Sequence, residues 1–341
     1  MSIIKLGFVG CGFVAQQCHF PCFSANNKFQ IIGVADPHPN LRKSIGDKYG
    51  AIYFAKDHHE LLKYKDIDAF VVTLPRRLTI GVVTDIVKQG KHVFTEKPLC
   101  LNKENGELLY DLVKEKKVGV QIGYMKIHDE GTLKLKQILK DLDIDQVKCI
   151  ESYCHMGDSY CNPIGDIKDS SIEEIDMGLE NLPFWLTKEM EWSYEQFINV
   201  FSHITHTTEF LFEDEIKYIT SHVNHNGEGF ILGKIKEIPL CIRTIRGEQK
   251  EWKEGIDIFT SNETISIEYP AAFLRNIPAR ISISYGKYNI EHKEIIPDWS
   301  WSFYNQTNAF KNLIENSQDS LKNILDATRQ VRLAESIFKE N

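Results

Sequence analysis

The first 36 residues constrain this chain more than any other stretch. Ile3 to Val9 is a short apolar run with strand character, and it passes straight into Gly10-Cys11-Gly12-Phe13-Val14-Ala15, a G-x-G-x-x-A pattern. A helical pattern follows, and a second apolar run, Phe29 to Ala35, ends at Asp36. In that order each residue type has a physical task. Gly10 permits the tight turn out of the strand, Gly12 presents bare backbone to a pyrophosphate, and Ala15 is small enough for the helix to pack closely on the strand. The helix that opens at Phe13 and Val14 directs free N–H groups and the positive end of its dipole at phosphate oxygens. Asp36 is placed to accept hydrogen bonds from ribose hydroxyls. Glycines alone mark many ordinary turns, but strand, helix and terminal acid in this sequence make a dinucleotide the expected ligand. A carboxylate repels a ribose 2′-phosphate. Pro37-His38-Pro39-Asn40 supplies no arginine directly after Asp36, and Arg42 comes only later, so NAD is expected in preference to NADP.

At 341 residues the chain is too long for one ordinary core, so two domains are expected. A net charge of −8, with no Lys/Arg-rich block, speaks against nucleic acid as a partner. The first strand begins almost at Met1, so no signal peptide is expected, and no apolar run reaches the length of a membrane span. A cytoplasmic protein without membrane partners is expected. The eight cysteines are scattered. Cys18 and Cys22 have helical spacing, while Cys149, Cys154 and Cys161 fit neither a tight zinc pattern nor a disulfide scaffold, so free thiols are expected.

The first third alternates strand and helix. Apolar strands are expected at 51–54, 67–73, 91–95 and 118–122, with helices at 41–49, 58–62, 80–89 and 102–117. Gly90 and Asn102 supply a helix stop and an N-cap. Repeated β-α units of this length mean a doubly wound parallel sheet. Past Gly123 the texture changes. A helix is expected at 131–142, a strand at 146–155, an irregular insertion over 158–194 and an aromatic-rich helix at 194–212. A series of strands broken by turns then runs from 216 to 296, the pattern of a mostly antiparallel sheet, and two helices close the chain at 303–315 and 321–339.

Several segments resemble the glucose–fructose oxidoreductase / inositol dehydrogenase (Gfo/Idh/MocA) family. GFVGCGFVAQQCHFPCF is similar to its cofactor loop, with the following A-x-x-H-x-P pattern falling on His19 and Pro21. GKHVFTEKPL is similar to its G-K-H-V-x-x-E-K-P-L block. GYMKIHD resembles its G-F-M-R-R-Y-D stretch, NVFSHITHTTEFL its D-x-x-x-H helix, and Ala334-Glu335-Ser336 its C-terminal A-x-x-S segment. The resemblance implies an α/β protein: an N-terminal Rossmann doubly wound parallel sheet over 1–122, then a C-terminal α+β domain with an open, mostly antiparallel sheet over 123–320. A helix over 321–341 would pack back on the body. It also implies hydride transfer at a hydroxyl-bearing carbon of a sugar, sugar derivative or cyclitol, and a homodimer or homotetramer joined through the open sheet.

Carried over residue by residue, the resemblance makes Lys97 the group that hydrogen-bonds the reacting oxygen, steadies a developing alkoxide and passes a proton. Glu96 would hold it by charge, and Thr73, Pro75, Glu96 and Lys97 would line the cofactor together with Gly10, Gly12, Phe13, Val14 and Asp36. His203 falls on the family histidine, while the family aspartate is replaced by Asn199. Asparagine can orient an imidazole or bond a sugar hydroxyl, but it cannot accept a proton. An alignment one turn further on would put His206 in the site instead. Tyr124, Lys126 and His155 join Lys97, Asn199 and His203 as expected substrate contacts. Arg76-Arg77 would meet an anionic group or solvent, and Trp185 and Trp192 a sugar ring or a subunit contact. His203/His206 and His222/His225 are H-x-x-H pairs without a Glu or Cys at ligand spacing, so no metal is expected. Asn199 keeps two alternatives open: reduction of an imine or other C=X bond on the same fold, or a catalytically silent NAD-binding regulator.

Overall fold

The computed structural model describes residues 3–158, 165–175, 178–316 and 319–340. Contacts divide the chain into two compact units, Met1–Gly123 with Pro163–Pro183 and Gln306–Thr328, and Tyr124–Asn162 with Phe184–Asn305 and Arg329–Asn341. The sequence suggests contiguous segments 1–122, 123–320 and 321–341, whereas the units are discontinuous. Two physical reasons account for this. Residues 167–173 hydrogen-bond to Gln16, Asn40 and Arg42. Phe310 and Leu313 complete the apolar core of the first unit.

The first unit is built on a six-stranded parallel sheet of order β3-β2-β1-β4-β5-β6. Its strands are β1 (Ile4–Val9), β2 (Phe29–Ala35), β3 (Tyr53–Ala55), β4 (Ala69–Val72), β5 (His92–Thr95) and β6 (Val120–Ile122). Helices α1 (Phe20–Ala25), α2 (Pro39–Tyr49), α3 (His58–Leu61), α4 (Arg76–Lys88) and α5 (Lys103–Lys116) connect them, with a π-helical turn, Ala15–His19, leading into α1. All four residues of β4 are buried, as an apolar strand covered on both faces requires. Asn102 caps α5 by accepting from Glu104 N (3.1 Å). Aromatic rings fill the core: Phe8 stacks on Phe20 at 4.0 Å, and Phe23 meets Phe8, Phe29, Phe94 and Phe310 edge-on. Strand order reverses between β1 and β4, which places a ligand crevice at the carboxyl ends of those strands.

The second unit has an eight-stranded sheet of order β14-β13-β12-β11-β7-β10-β9-β8, antiparallel except where β7 and β10 run together. Helix α6 (Glu130–Asp141) precedes β7 (Val147–Met156). Then come α7 (Lys188–Gln196), a π-helical turn (Phe197–Phe201), α8 (Ser202–Phe212), β8 (Lys217–Val223), β9 (Gly229–Ile235) and β10 (Ile238–Arg246). The sheet continues with β11 (Lys253–Thr260), β12 (Glu263–Tyr269), β13 (Arg280–Tyr285) and β14 (Glu291–Ile295), and the chain closes with α9 (Ser302–Glu315) and α10 (Asp319–Glu340). Ile267, Ile256, Ser152, Ile242 and Ile231 form one cross-strand row. Ser152 Oγ meets Thr208 Oγ1 at 2.8 Å, so this row faces α8. The single helix expected over 194–212 is in fact α7, a π turn and α8, beginning six residues earlier. No described helix is long and apolar enough to cross a membrane. The seven described cysteines are free thiols, and Cys161 lies outside the described residues.

Candidate active site

The glycine loop is shaped for a diphosphate. Gly10 has φ +95°, and a Cβ there would sit 2.2 Å from Thr73 O, so no other residue fits. Thr73 Oγ1 locks the turn by donating to Gly10 O (2.8 Å). A Cβ on Gly12 would meet nothing within 4 Å, so the backbone before the helix is open to a ligand. Phe13 and Val14, both half-buried, form the first helical residues. Asp36 is buried at the end of β2. It accepts from Cys11 N (2.7 Å) through one oxygen, and from His38 N (3.0 Å) and His38 Nδ1 (2.8 Å) through the other. A carboxylate offers roughly four acceptor positions, so Asp36 keeps capacity for a ribose hydroxyl. Pro75 sits at the N-cap of α4 and is followed by Arg76. These residues lie at the carboxyl ends of β1, β2 and β4, and they fit an NAD-type dinucleotide.

Glu96, Lys97 and Pro98 follow β5 on the same edge, and the Lys97–Pro98 peptide is cis. His19, fully buried, holds Glu96 Oε1 through Nε2 at 2.7 Å, while Glu96 Oε2 accepts from Lys97 N (3.1 Å). The Glu96 carboxylate therefore grips the main chain of Lys97 and anchors it to the helix after the glycine loop. His19 is a positioning residue to which composition and periodicity assign no role. Its only signal in the sequence is the place it takes in the A-x-x-H-x-P pattern.

In the second unit, Tyr124 is 3% exposed. Its ring stacks on His206 (3.9 Å, 5°) and meets His203 edge-on (5.9 Å, 79°). Tyr124, His203 and His206 thus form one cluster, with His203 half-buried and His206 buried. Asn199, half-buried, lies in the π turn Phe197–Phe201, and His203 lies in the first turn of α8 that follows it.

Two further residues expected at the substrate, Lys126 and His155, have contacts of their own within the second unit. Lys126 is buried, and its Nζ pairs with Glu254 Oε2 at 2.6 Å while lying 4.6 Å from the Tyr269 ring. Its charge is committed inside the unit. His155 is three residues beyond Ser152 on β7, and side chains alternate along a strand, so it projects from the face opposite α8. There it neighbours Tyr153 at 5.8 Å. Burial, then the charges of Arg243 and Lys253, push its imidazolium below the ordinary value.

The tryptophans are also engaged within the second unit. Arg246 lies over Trp192 (4.9 Å), and Trp185 meets Tyr194 edge-on. Among the described residues neither H-x-x-H pair joins a third metal-type ligand. The group of three that does form is His58, His59 and Asp85, with ligand atoms within 4.8 Å of one another, and its carboxylate already pairs with Lys88 at 3.3 Å. That group borders a cavity of about 500 Å³ between α3, α4 and α5, which shares no lining residue with the glycine loop.

Residues 4–124 match the model of the Gfo/Idh/MocA family, described as an oxidoreductase family with an NAD-binding Rossmann fold. Inositol 2-dehydrogenase of Klebsiella pneumoniae (strain 342) is 28% identical over 181 residues, 51% of this chain and 53% of that protein. Inositol 2-dehydrogenase/D-chiro-inositol 3-dehydrogenase of Shouchella clausii is 28% identical over 187 residues, 51% of each chain. The match thus spans about half the length of these relatives. Among solved structures, a 3-ketoreductase from Actinomadura kijaniata in complex with NADP and TDP-benzene superposes with TM-score 0.76 at 14% identity, covering 99% of this chain and 98% of that one. An NAD binding oxidoreductase from Klebsiella pneumoniae superposes with TM-score 0.77 at 16% identity, covering 99% and 97%. These likenesses show that the fold is shared along the whole chain. The part of the chain that carries the glycine loop, the terminal Asp36 and the Glu96-Lys97-Pro98 turn, residues 4–124, is thus similar to the NAD-binding Rossmann domain of the Gfo/Idh/MocA oxidoreductase family.

Proposed function

We propose that this chain is an NAD(H)-dependent oxidoreductase that moves a hydride between nicotinamide and a hydroxyl-bearing carbon of a sugar, sugar derivative or cyclitol. The observation that carries this is the Lys97 turn, fixed by Glu96 and His19 on the same sheet edge as the open glycine loop. Bound NAD would supply the hydride acceptor. Lys97 would hold the substrate oxygen and stabilise negative charge as it develops. His203 would take or return the hydroxyl proton, with its ring set against Tyr124, and Asn199 would bond a neighbouring hydroxyl. The substrate class draws support from the inositol 2-dehydrogenase relatives and from the ketoreductase whose structure holds TDP-benzene. Asn199, which cannot accept a proton, favours a second reading in which the chain reduces an imine or other C=X bond.

Paired calorimetric titrations with NADH and NADPH, followed by a polyol screen with NAD⁺ and a ketone and imine screen with NADH, test the proposal. NADH is expected to bind about tenfold or more tightly than NADPH, because Asp36 opposes a 2′-phosphate. Binding of neither would overturn the oxidoreductase reading. Turnover of imines but not of polyols or ketones would select the second one.

Association through the open sheet is part of the same proposal. Phe230, Leu232 and Ile245 are 53%, 44% and 42% exposed on the face opposite α8, in register with Arg243, Cys241 and His155. An apolar patch on an open sheet suits a second copy of the chain. Light scattering should report a dimer or tetramer for the wild type and a smaller species for Phe230→Glu/Leu232→Glu. A wild-type monomer would remove the proposal.

A further inference from the structure

The insertion returns to the first unit as an extended strap over the β2–α2 turn. Gln16 clamps its start: Ile167 N donates to Gln16 Oε1 (2.8 Å), and Gln16 Nε2 donates to Ile167 O (3.0 Å) and to Cys11 O (2.8 Å) in the glycine loop. Asp169 then lies at the N-terminus of α2, where one oxygen accepts from Asn40 N (2.9 Å) and Leu41 N (3.2 Å). Helix α2 needs this help, because its own N-cap residue, His38, makes no side-chain cap bond. Glu173 finishes the strap. Its main-chain N donates to Pro37 O (2.8 Å), and its carboxylate takes Arg42 Nη1 at 2.9 Å.

Every group thus engaged is one that an anion beside Asp36 would require. A 2′-phosphate on the adenosine ribose is held in this fold by an arginine near the end of β2. Free N–H groups at the start of the following helix would assist. Here the guanidinium of Arg42 is turned to Glu173 and to Asp36 O (2.7 Å). The first N–H groups of α2 are spent on Asp169. Both acids are held as anions. Hydrogen bonds, that from the Ser171 hydroxyl first, keep the Asp169 carboxyl well below the usual range, and Arg42 lowers that of Glu173.

We propose that Asp169 and Glu173 are specificity residues that reject NADP by filling the 2′-phosphate position with carboxylates from the strap. This deepens the NAD reading and rests on it. Asp36 supplies repulsion, while the strap removes the attraction that Arg42 and α2 would otherwise offer.

The experiment compares dissociation constants for NADH and NADPH in the full chain, the wild type against Asp169→Asn/Glu173→Gln. These substitutions remove charge and keep side-chain shape. NADPH binding is expected to tighten about tenfold or more, while NADH changes far less. Adding Arg42→Ala to the double variant should cancel the gain. Unchanged NADPH affinity with intact NADH binding would overturn the strap proposal and leave the cofactor reading standing. A gain that survives Arg42→Ala undiminished would also overturn it, because the freed guanidinium would then contribute nothing to holding the phosphate. Wild-type protein that binds neither cofactor would instead sink the NAD reading itself.

Discussion

Lys97→Met is expected to lower turnover by roughly 10²–10⁴-fold and to change NADH affinity far less. Methionine keeps the length and apolar stem of the side chain and deletes the ammonium, so on the proposed mechanism the change would act on the reacting oxygen and not on the turn. The turn itself is held by main-chain and carboxylate contacts that the variant retains: Glu96 Oε2 to Lys97 N (3.1 Å), and Glu96 Oε1 to the buried His19 (2.7 Å). The loss should therefore appear in the hydride-transfer step, read by single-turnover kinetics under saturating cofactor. Circular dichroism and cofactor titration should match the wild type. Turnover within about threefold of the wild type, a change worth under ~1 kcal/mol, would remove Lys97 from the chemistry. A chain that binds NADH but turns over none of the screened substrates before mutation would be the silent regulator.

The first unit is legible in the sequence because its constraints are local. Gly10 is required by a positive φ and by Thr73 O, and buried parallel strands such as Ala69–Val72 read as unbroken apolar runs. Other features have no local signature. β14 reads Glu-His-Lys-Glu-Ile and is exposed along nearly its whole length, so it shows neither the apolar run of the parallel strands nor the alternation of β10 and β12. The strap is fixed by partners more than 120 residues away, such as Asn40 with Asp169 and Arg42 with Glu173. No periodicity within 158–194 could reveal it.

Within the candidate site the same distinction holds. The glycine loop and the Lys97 turn are encoded by contiguous motifs. Tyr124 and His206 meet as stacked rings across 82 residues of sequence, and only the fold brings them together. The strand face of His155, by contrast, is legible in the sequence. Counting by twos from Ile150, a core position, puts Ser152 and Cys154 on the buried face and His155 on the other.

Lys126→Met destabilises the second unit by about 3–5 kcal/mol, the range for breaking a buried ion pair by removing one partner. Lys126 and Glu254 have side-chain exposures of 6% and 0%, and their charged atoms lie 2.6 Å apart. The same Glu254 oxygen accepts from Trp252 Nε1 (2.9 Å), and its other oxygen has no hydrogen-bond partner among the described residues. Without Lys126 the carboxylate is a buried anion served by one neutral donor. The ammonium also leaves the face of Tyr269, which adds to the loss. Urea unfolding followed by tryptophan fluorescence reads the change, with Trp252 beside the pair as a reporter. Lys126→Met/Glu254→Gln should recover part of the stability, because it removes the orphaned charge along with its partner. The outcome assigns Lys126 a role. A stability loss that the second substitution relieves makes it the structural counter-ion of Glu254. Unchanged stability with a raised KM for substrate would make it the substrate contact that its place in the GYMKIHD segment suggests.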